Sequence, residues 1–210
     1  MKLCGLTGGV GMGKSTAAGF FLQLGARIVD TDELARELVG PGQAALVEIR
    51  AEFGDSLVTA DGRLKRAELA QRVFSDGHAR KKLEAILHPR IRERWQAQVE
   101  VWRTEDYPVA MVVIPLLFET SAEGNFDQII CVACTPAAQL ARLQDRGWPV
   151  GQIQGRIAAQ WPAEQRWRVP ILSFGPKVPL PATAGKLARF SKNFDGGRLR
   201  RLSGNILCTQ

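Results

Sequence analysis

Apolar residues follow two patterns along the chain, and together these patterns predict alternating strands and helices. Short apolar runs, typical of strands buried in a parallel sheet, occur at 2–7, 27–29, 109–114 and 127–134. Apolar residues at helical spacing predict helices at 14–24, from 136 onward and at 150–160, and a longer helical, charged segment covers 33–105. This alternation predicts an α/β fold built on a parallel sheet.

A glycine-rich loop, Gly8-Gly9-Val10-Gly11-Met12-Gly13-Lys14-Ser15, joins the first predicted strand to the first predicted helix and fills the pattern G-x-x-x-x-G-K-[ST]. Glycines let successive N–H groups point at phosphate oxygens, and the positive end of the helix dipole faces the same place. The lysine of this pattern reaches the β- and γ-phosphates, and the serine hydroxyl is a ligand for Mg²⁺. Because strand, loop and helix occur in the required order, we expect a nucleoside triphosphate site; the alternative is a glycine-rich turn with an incidental lysine.

Two carboxylates follow the second predicted strand. Asp30 and Asp32 share a face if the chain is still extended there, at the edge of the sheet where ligands bind. One carboxylate suits a base toward a substrate hydroxyl, and the other suits a partner for the substrate or for the water ligands of Mg²⁺. Asp32 also directly precedes a helical pattern, and taken alone the pair favours a helix N-cap at that residue.

The helical segment 33–105 is too long to be one crossover helix between two strands. Turn signals at 40–42, 60–62 and 75–77 divide it, so we expect a helical insertion of the kind that forms a substrate pocket or lid. The run Leu87-His88-Pro89-Arg90 should open its last helix, with Pro89 in the first turn. His88 could hydrogen-bond a substrate; otherwise it is structural.

Two arginines lie on the predicted helix that begins at Pro136. Arg142 and Arg146 are four residues apart and therefore share a helix face. Arginines so placed suit stabilisation of the charge on a transferring phosphoryl group, although as surface residues alone they would be unremarkable.

The net charge of +7 raises the hypothesis of a nucleic-acid partner, so its location matters. Eight basic residues and one acidic residue lie from Arg168 onward, whereas the first 167 residues carry 20 of each sign. The excess is confined to the tail, which argues against nucleic-acid binding by the main domain; an ATP-dependent nucleic-acid binder that uses the tail is the rival from another class.

The length of 210 residues fits one domain with a small insertion, and the cysteine content and hydropathy predict a cytoplasmic protein. Cys131 and Cys134 form a C-x-x-C, which could bind zinc or act in redox chemistry. In a strand, however, residues three apart face opposite sides, so we expect buried, reduced thiols. No apolar run approaches the roughly 20 residues that span a membrane, and the N-terminus enters a strand instead of a leader.

Six motifs occur in an order that resembles the dephospho-CoA kinase family, and they cover about residues 1–167. They are Gly5-Leu6-Thr7-Gly8-Gly9-Val10-Gly11-Met12-Gly13-Lys14-Ser15-Thr16; Asp30-Thr31-Asp32 with Ala35-Arg36; Leu87-His88-Pro89; Pro115-Leu116-Leu117-Phe118-Glu119; Arg142 with Arg146; and Arg156-Ile157-Ala158-Ala159-Gln160. The resemblance implies a three-layer P-loop core at 1–32 and 106–167 with a five-stranded parallel sheet. It also implies a helical acceptor-binding insertion at 33–105 and a small helical lid around 142–160.

The implied reaction is the last step of CoA synthesis, transfer of the γ-phosphoryl group of ATP to the ribose 3′-hydroxyl of dephospho-CoA, with Mg²⁺. The resemblance implies that Asp32 is the base and that it acts with Lys14 and Arg142. It implies that Ser15 binds the metal, and that the acceptor is bound by Asp30, Arg36 and His88. ATP would be bound by Gly9, Val10, Gly11, Met12, Gly13, Lys14, Ser15, Thr16 and Arg146. The alternatives are another P-loop kinase for a small molecule or nucleotide, and a family member impaired by its C-terminus.

The last 43 residues, 168–210, depart from the family pattern. Four prolines between Pro170 and Pro181 are poor material for the final strand that the family would place there. Three explanations remain: a shifted reading frame near residue 167, a divergent basic tail, and a variant in which Ile171-Leu172-Ser173-Phe174 replaces the strand. If the strand is lost, the edge of the preceding strand would be exposed.

Overall fold

The computed structural model describes residues 1–158 and 160, together with the backbone of 171–173. The strands are β1 (Lys2–Gly8), β2 (Arg27–Asp30), β3 (Val109–Val113), β4 (Gln128–Ala133) and β5 (Ile171–Ser173). The helices are α1 (Lys14–Gln23), α2 (Thr31–Leu38), α3 (Ala44–Phe53), α4 (Arg66–Ser75), α5 (Gly77–Thr104), α6 (Pro136–Asp145) and α7 (Val150–Ala158), with 3₁₀ turns at Asp55–Leu57 and Glu123–Asn125. The strands and helices alternate as the apolar pattern predicts, and the α/β fold is confirmed.

The strands form a five-stranded sheet in the order β2-β3-β1-β4-β5. β1 lies at the centre and pairs in parallel with β3 on one side and with β4 on the other. β5 pairs in parallel with β4, with Cys131 opposite Ile171 and Ala133 opposite Ser173. The expectation that the final strand is lost is therefore wrong: Ile171–Ser173 covers the edge of β4, as the third explanation for the C-terminus requires. The remaining predictions for 168–210 concern residues outside those that the structure describes.

The chain divides into two compact units, one of Met1–Ile28 with the described residues from Glu105 onward, and one of Val29–Thr104. The first contains the central strands and the helices α1, α6 and α7. Its core is a cluster of buried residues from β1, β3, β4, α1 and the turn before β2: Cys4, Leu6, Ala17, Phe21, Ala26, Met111, Val113, Ile130 and Val132. Successive positions of these strands are buried, which explains the continuous hydrophobic runs of the sequence.

The cysteines of the first unit behave as ordinary buried thiols. Cys4 and Cys131 are free and buried, and Cys134 is free and half-buried. Burial, with the charge of Asp127 as a smaller cause, raises the pKa of the Cys4 thiol to about 12, which keeps it protonated. Among the described residues no group of three or more His, Cys, Asp and Glu could hold a metal ion. Cys208 lies outside the described residues.

The second unit is helical. Its helices pack around a small core formed by Val39, Ile49, Phe53, Leu57, Leu69 and Ala79. Helix α5 is the longest element, and the prediction that 87–90 open a new helix is wrong, because Pro89 lies inside α5. A proline there removes one helical hydrogen bond. The Arg90 guanidinium donates to the Ile86 carbonyl at 2.6 Å in the preceding turn, and also to Glu48 of α3.

Hydropathy gives no sign of a membrane span: within the described ranges, every helix is too short or too polar to cross a bilayer.

Two substitutions on α3 test the helical core. Ile49 is 0% exposed, so Ile49→Ala leaves a cavity and should lower the free energy of unfolding by about 2–4 kcal/mol. Val47 is 63% exposed on the same helix, so Val47→Ala should change it by less than about 0.5 kcal/mol. Urea unfolding followed by circular dichroism measures both, and equal effects would contradict the assigned core.

Candidate nucleotide site

The glycine-rich loop connects the carboxyl end of the central strand β1 to the first turn of α1. Helix α1 begins after Gly13, which is its N-cap in a left-handed conformation and forms no side-chain capping bond. No acidic residue lies in the first turn of α1. The N–H groups of this turn are thus not engaged by a capping side chain, and the positive end of the helix dipole carries no fixed negative charge.

Close packing on both sides of the loop requires glycine. A Cβ added to Gly8 would lie 2.4 Å from the backbone oxygen of Val132 on β4, and Gly8 has φ +151°. A Cβ on Gly11 would lie 2.9 Å from Leu143 of α6, and Gly11 has φ +73°. The loop therefore lies against β4 at its start and against α6 at its middle. No other amino acid fits either position without displacing a neighbour.

Lys14 is folded back over the start of the loop. Its Nζ donates to the carbonyl of Gly8 at 2.7 Å and to that of Gly9 at 3.2 Å. The amide of Gly9 in turn donates to the Met12 sulfur at 3.2 Å. Ser15 and Thr16 follow in the first turn of α1 and are exposed. The ammonium group and two hydroxyls thus lie on the phosphate-binding loop and the helix turn that it opens.

Helix α6 packs against the loop and is hydrogen-bonded to it. Thr135 caps it by accepting from the Ala138 amide at 3.3 Å, and Pro136 occupies its first turn. One turn later the Gln139 side chain donates to the Val10 carbonyl at 2.7 Å, and Arg142 donates to the Gly11 carbonyl at 3.5 Å, a long contact. The structure thus brings Arg142 to the loop.

Arg146 and Gln160 follow the ends of α6 and α7. Arg146 is the exposed C-cap of α6, so the prediction that this helix contains both arginines holds for Arg142 only. Gln160 follows α7, and its Oε1 accepts from the Val10 amide at 3.0 Å. Sequence reasoning gave Gln160 no role of its own, although it ends one of the six motifs. It missed Gln139 altogether, because a glutamine on a helix carries no signal of its own.

The second unit contains the two carboxylates, and here the sequence interpretation needs a correction. The N-cap of α2 is Asp30, not Asp32: the Asp30 side chain accepts from the Asp32 amide at 2.8 Å. The strand has ended at Asp30, so the two residues do not share a strand face. Asp32 lies in the first turn of the helix and is exposed, which leaves Asp30 as the structural member of the pair.

The two other predicted acceptor residues, Arg36 and His88, also lie in the second unit and are exposed. The Arg36 carbonyl accepts from the Arg66 guanidinium at 3.1 Å, which ties the end of α2 to the start of α4. His88 lines an open groove along α5, together with Pro89, Arg92, Glu93, Gln96, Ala97 and Glu100. All seven residues lie on this one helix, so the groove is an exposed helix face and not an enclosed pocket.

Comparisons with known proteins agree on one family. The family model described as dephospho-CoA kinase matches residues 2–171. A dephospho-CoA kinase from Bdellovibrio bacteriovorus is 43% identical over 164 residues, which is 78% of this chain and 82% of that protein. One from Anaeromyxobacter dehalogenans is 38% identical over 204 residues, 96% of each chain, so that alignment extends past residue 171. A crystal structure of a Thermus thermophilus protein superposes with a TM-score of 0.76 at 30% identity, covering 93% of this chain and 98% of that one.

Replacing one loop glycine and one helix glycine tests the packing of the site. Gly8→Ala places a methyl group against a backbone oxygen that cannot move aside, so we expect a lower melting temperature and loss of ATP binding. Gly19→Ala, in the middle of α1, meets nothing within 4 Å and should stabilise the protein by about 0.5–1 kcal/mol. Thermal melts and calorimetric titration with ATP measure both effects; normal binding by Gly8→Ala would refute the assigned loop geometry.

Proposed function

Because this chain belongs to the dephospho-CoA kinase family, we propose that it transfers the γ-phosphoryl group of ATP to the ribose 3′-hydroxyl of dephospho-CoA and releases CoA and ADP. The observation that carries the proposal is the phosphate loop. Strand, glycine loop, lysine and helix N-terminus have the arrangement that binds the phosphates of a nucleotide. Membership of the family supplies the identity of the acceptor.

In the proposed reaction the 3′-oxygen of the acceptor attacks the γ-phosphorus of ATP. The new bond joins that oxygen to phosphorus, the bond from phosphorus to the β,γ-bridging oxygen breaks, and ADP leaves with the bonding electrons. The hydroxyl proton passes to the Asp32 carboxylate, which is the proposed base. Asp32 suits this role because it lies on the exposed first turn of α2, directly after the carboxyl end of β2.

Positive charge and backbone amides stabilise the charge that develops on the transferring group. We assign Lys14 and the loop from Gly9 to Thr16 to the phosphates of ATP, with Arg142 at the γ-phosphoryl group and Arg146 at ATP in the lid. Arg142 is already placed beside the loop through its contact with Gly11. Lys14, which follows Gly13 at the end of the loop, is assigned to the same phosphates.

A magnesium ion fits this site. The Ser15 hydroxyl is exposed in the first turn of α1 and would be its protein ligand. Mg²⁺ in kinases binds mainly to phosphate oxygens and water, so it needs no cage of carboxylates, and none is found in the described part of the chain. When bound, the ion neutralises charge on the β- and γ-phosphates.

The helical unit is the proposed acceptor-binding part. Arg36 offers a charged fork suited to the phosphates of dephospho-CoA, and His88 offers a donor or acceptor in the open groove along α5. Asp30 acts there in the proposal as the residue that fixes the α2 N-terminus and so the backbone that carries Asp32. The compartment we propose is the cytoplasm, where thiols such as Cys4 and Cys131 stay reduced.

The activity itself is tested by incubating the protein with ATP, Mg²⁺ and dephospho-CoA and measuring the release of ADP. We expect turnover that depends on dephospho-CoA, and loss of nearly all of it in Lys14→Ala, because removing the ammonium removes a phosphate contact. A panel with shikimate and nucleoside monophosphates serves as the control. Turnover with one of these acceptors and not with dephospho-CoA would establish the rival small-molecule kinase.

The role of Asp32 is tested by Asp32→Asn, which keeps size and polarity but removes the basic carboxylate. We expect turnover to fall by about 10²-fold or more while the ATP Kd changes little, in line with general-base contributions. Glu33→Gln, one residue further along the same exposed helix turn, is the matched control and should retain normal turnover. If the two variants behave alike, Asp32 is not the base.

A further inference from the structure

Two glutamine side chains from later in the chain bind the two backbone polar groups of one phosphate-loop residue, Val10. The Val10 amide donates to Gln160 Oε1 at 3.0 Å, and the Val10 carbonyl accepts from Gln139 Nε2 at 2.7 Å. The amide belongs to the peptide that joins Gly9 to Val10, and the carbonyl belongs to the peptide that joins Val10 to Gly11. The glutamines therefore fix the orientation of both peptide planes around Val10.

A peptide group is planar and trans, so its N–H and C=O point in opposite directions. Since the Val10 carbonyl points at Gln139, the Gly11 amide must point away from Gln139. Since the Val10 amide points at Gln160, the Gly9 carbonyl must point away from Gln160. That carbonyl is the one that accepts from Lys14 Nζ at 3.2 Å. Gln160 thus helps to place the acceptor that holds the lysine, and Gln139 sets the direction of a loop amide.

Each glutamine is itself held in place. Gln139 is only 5% exposed, and its backbone N–H donates to the Thr135 carbonyl at 2.9 Å in the first turn of α6. The backbone N–H of Gln160 donates to the Ile157 carbonyl at 3.1 Å at the end of α7. Gln160 packs closely over Gly9, since a Cβ there would lie 3.1 Å from Gln160 Oε1. One contact thus comes from the first half of α6 and the other from the residue that follows the end of α7.

We propose that Gln139 and Gln160 are positioning residues that orient the Val10 peptides and thereby set the affinity of the loop for the terminal phosphate of ATP. The inference rests on the proposed function. Lys14 reaches the β- and γ-phosphates, and the peptides around Val10 lie beside the carbonyls that hold its Nζ. A change in the orientation of these peptides should therefore weaken the binding of ATP more than the binding of ADP, which lacks the γ-phosphate.

The test uses Gln139→Met and Gln160→Met, which nearly conserve volume and remove the bond to Val10. We expect each to raise the ATP Kd by about three- to ten-fold, the range of one lost hydrogen bond, with a smaller rise in the ADP Kd. The double variant should show less than the product of the two effects, because both contacts act on one residue. Calorimetric titrations with ATP and ADP, and thermal melts, give these values.

Exposed glutamines on α6 and α7 provide matched controls. Gln144→Met on α6 and Gln152→Met on α7 should leave both Kd values unchanged. An equal rise in the ATP and ADP Kd values, together with a lower melting temperature, would show that the glutamines have only a structural role. Unchanged Kd values would show that they have no role in binding, and either result overturns the inference. A wild-type protein that binds no ATP would instead overturn the proposed function.

Discussion

The phosphate-loop backbone packs closely against two neighbours, a strand backbone and a leucine side chain, and the geometry of the site follows from these contacts. Gly8 ends the central strand against the Val132 carbonyl of β4, and Gly11 lies against Leu143 of α6. Only glycine allows both contacts, and they fix the path of the chain between β1 and α1. The position of Lys14 and the direction of the α1 N-terminus follow from that path.

The same packing links the loop to the segment that the family resemblance identifies as a lid. Two residues separate β4 from α6, and Thr135 caps the helix. Gln139 and, one turn later, Arg142 and Leu143 contact the loop. In the proposed reaction, the phosphates of ATP would therefore meet residues of two neighbouring strand-to-helix connections of one sheet.

Much of this architecture could be predicted from the sequence, because the signals are local. The apolar runs of the strands and the glycine and lysine spacing of the loop depend on residues close together in the chain. The pair Asp30-Thr31-Asp32 allows either aspartate to be the N-cap, and only the backbone shows that the strand ends at Asp30. Proline is common in a first helical turn, so its local preference predicts a helix start at Pro89, whereas α5 continues through it.

Contacts between distant residues could not be predicted in the same way. Gln139 and Val10 are 129 residues apart, and Gln160 and Val10 are 150 apart, so no spacing rule connects them. Ile171–Ser173 lies among prolines that argue against a strand, yet its three residues need only the free edge of β4 to pair. The sequence interpretation and the structure differ most where tertiary pairing, not local preference, decides the conformation.

The central claim is that the loop from Gly8 to Ser15 delivers the γ-phosphoryl group of ATP to one hydroxyl of dephospho-CoA. Phosphorus NMR of the reaction mixture tests it most directly, because it reports both the nucleotide formed and the position of the new phosphate. We predict equal amounts of ADP and of a ribose 3′-phosphomonoester. ADP with unchanged dephospho-CoA, or a phosphate at any other position, would contradict the account.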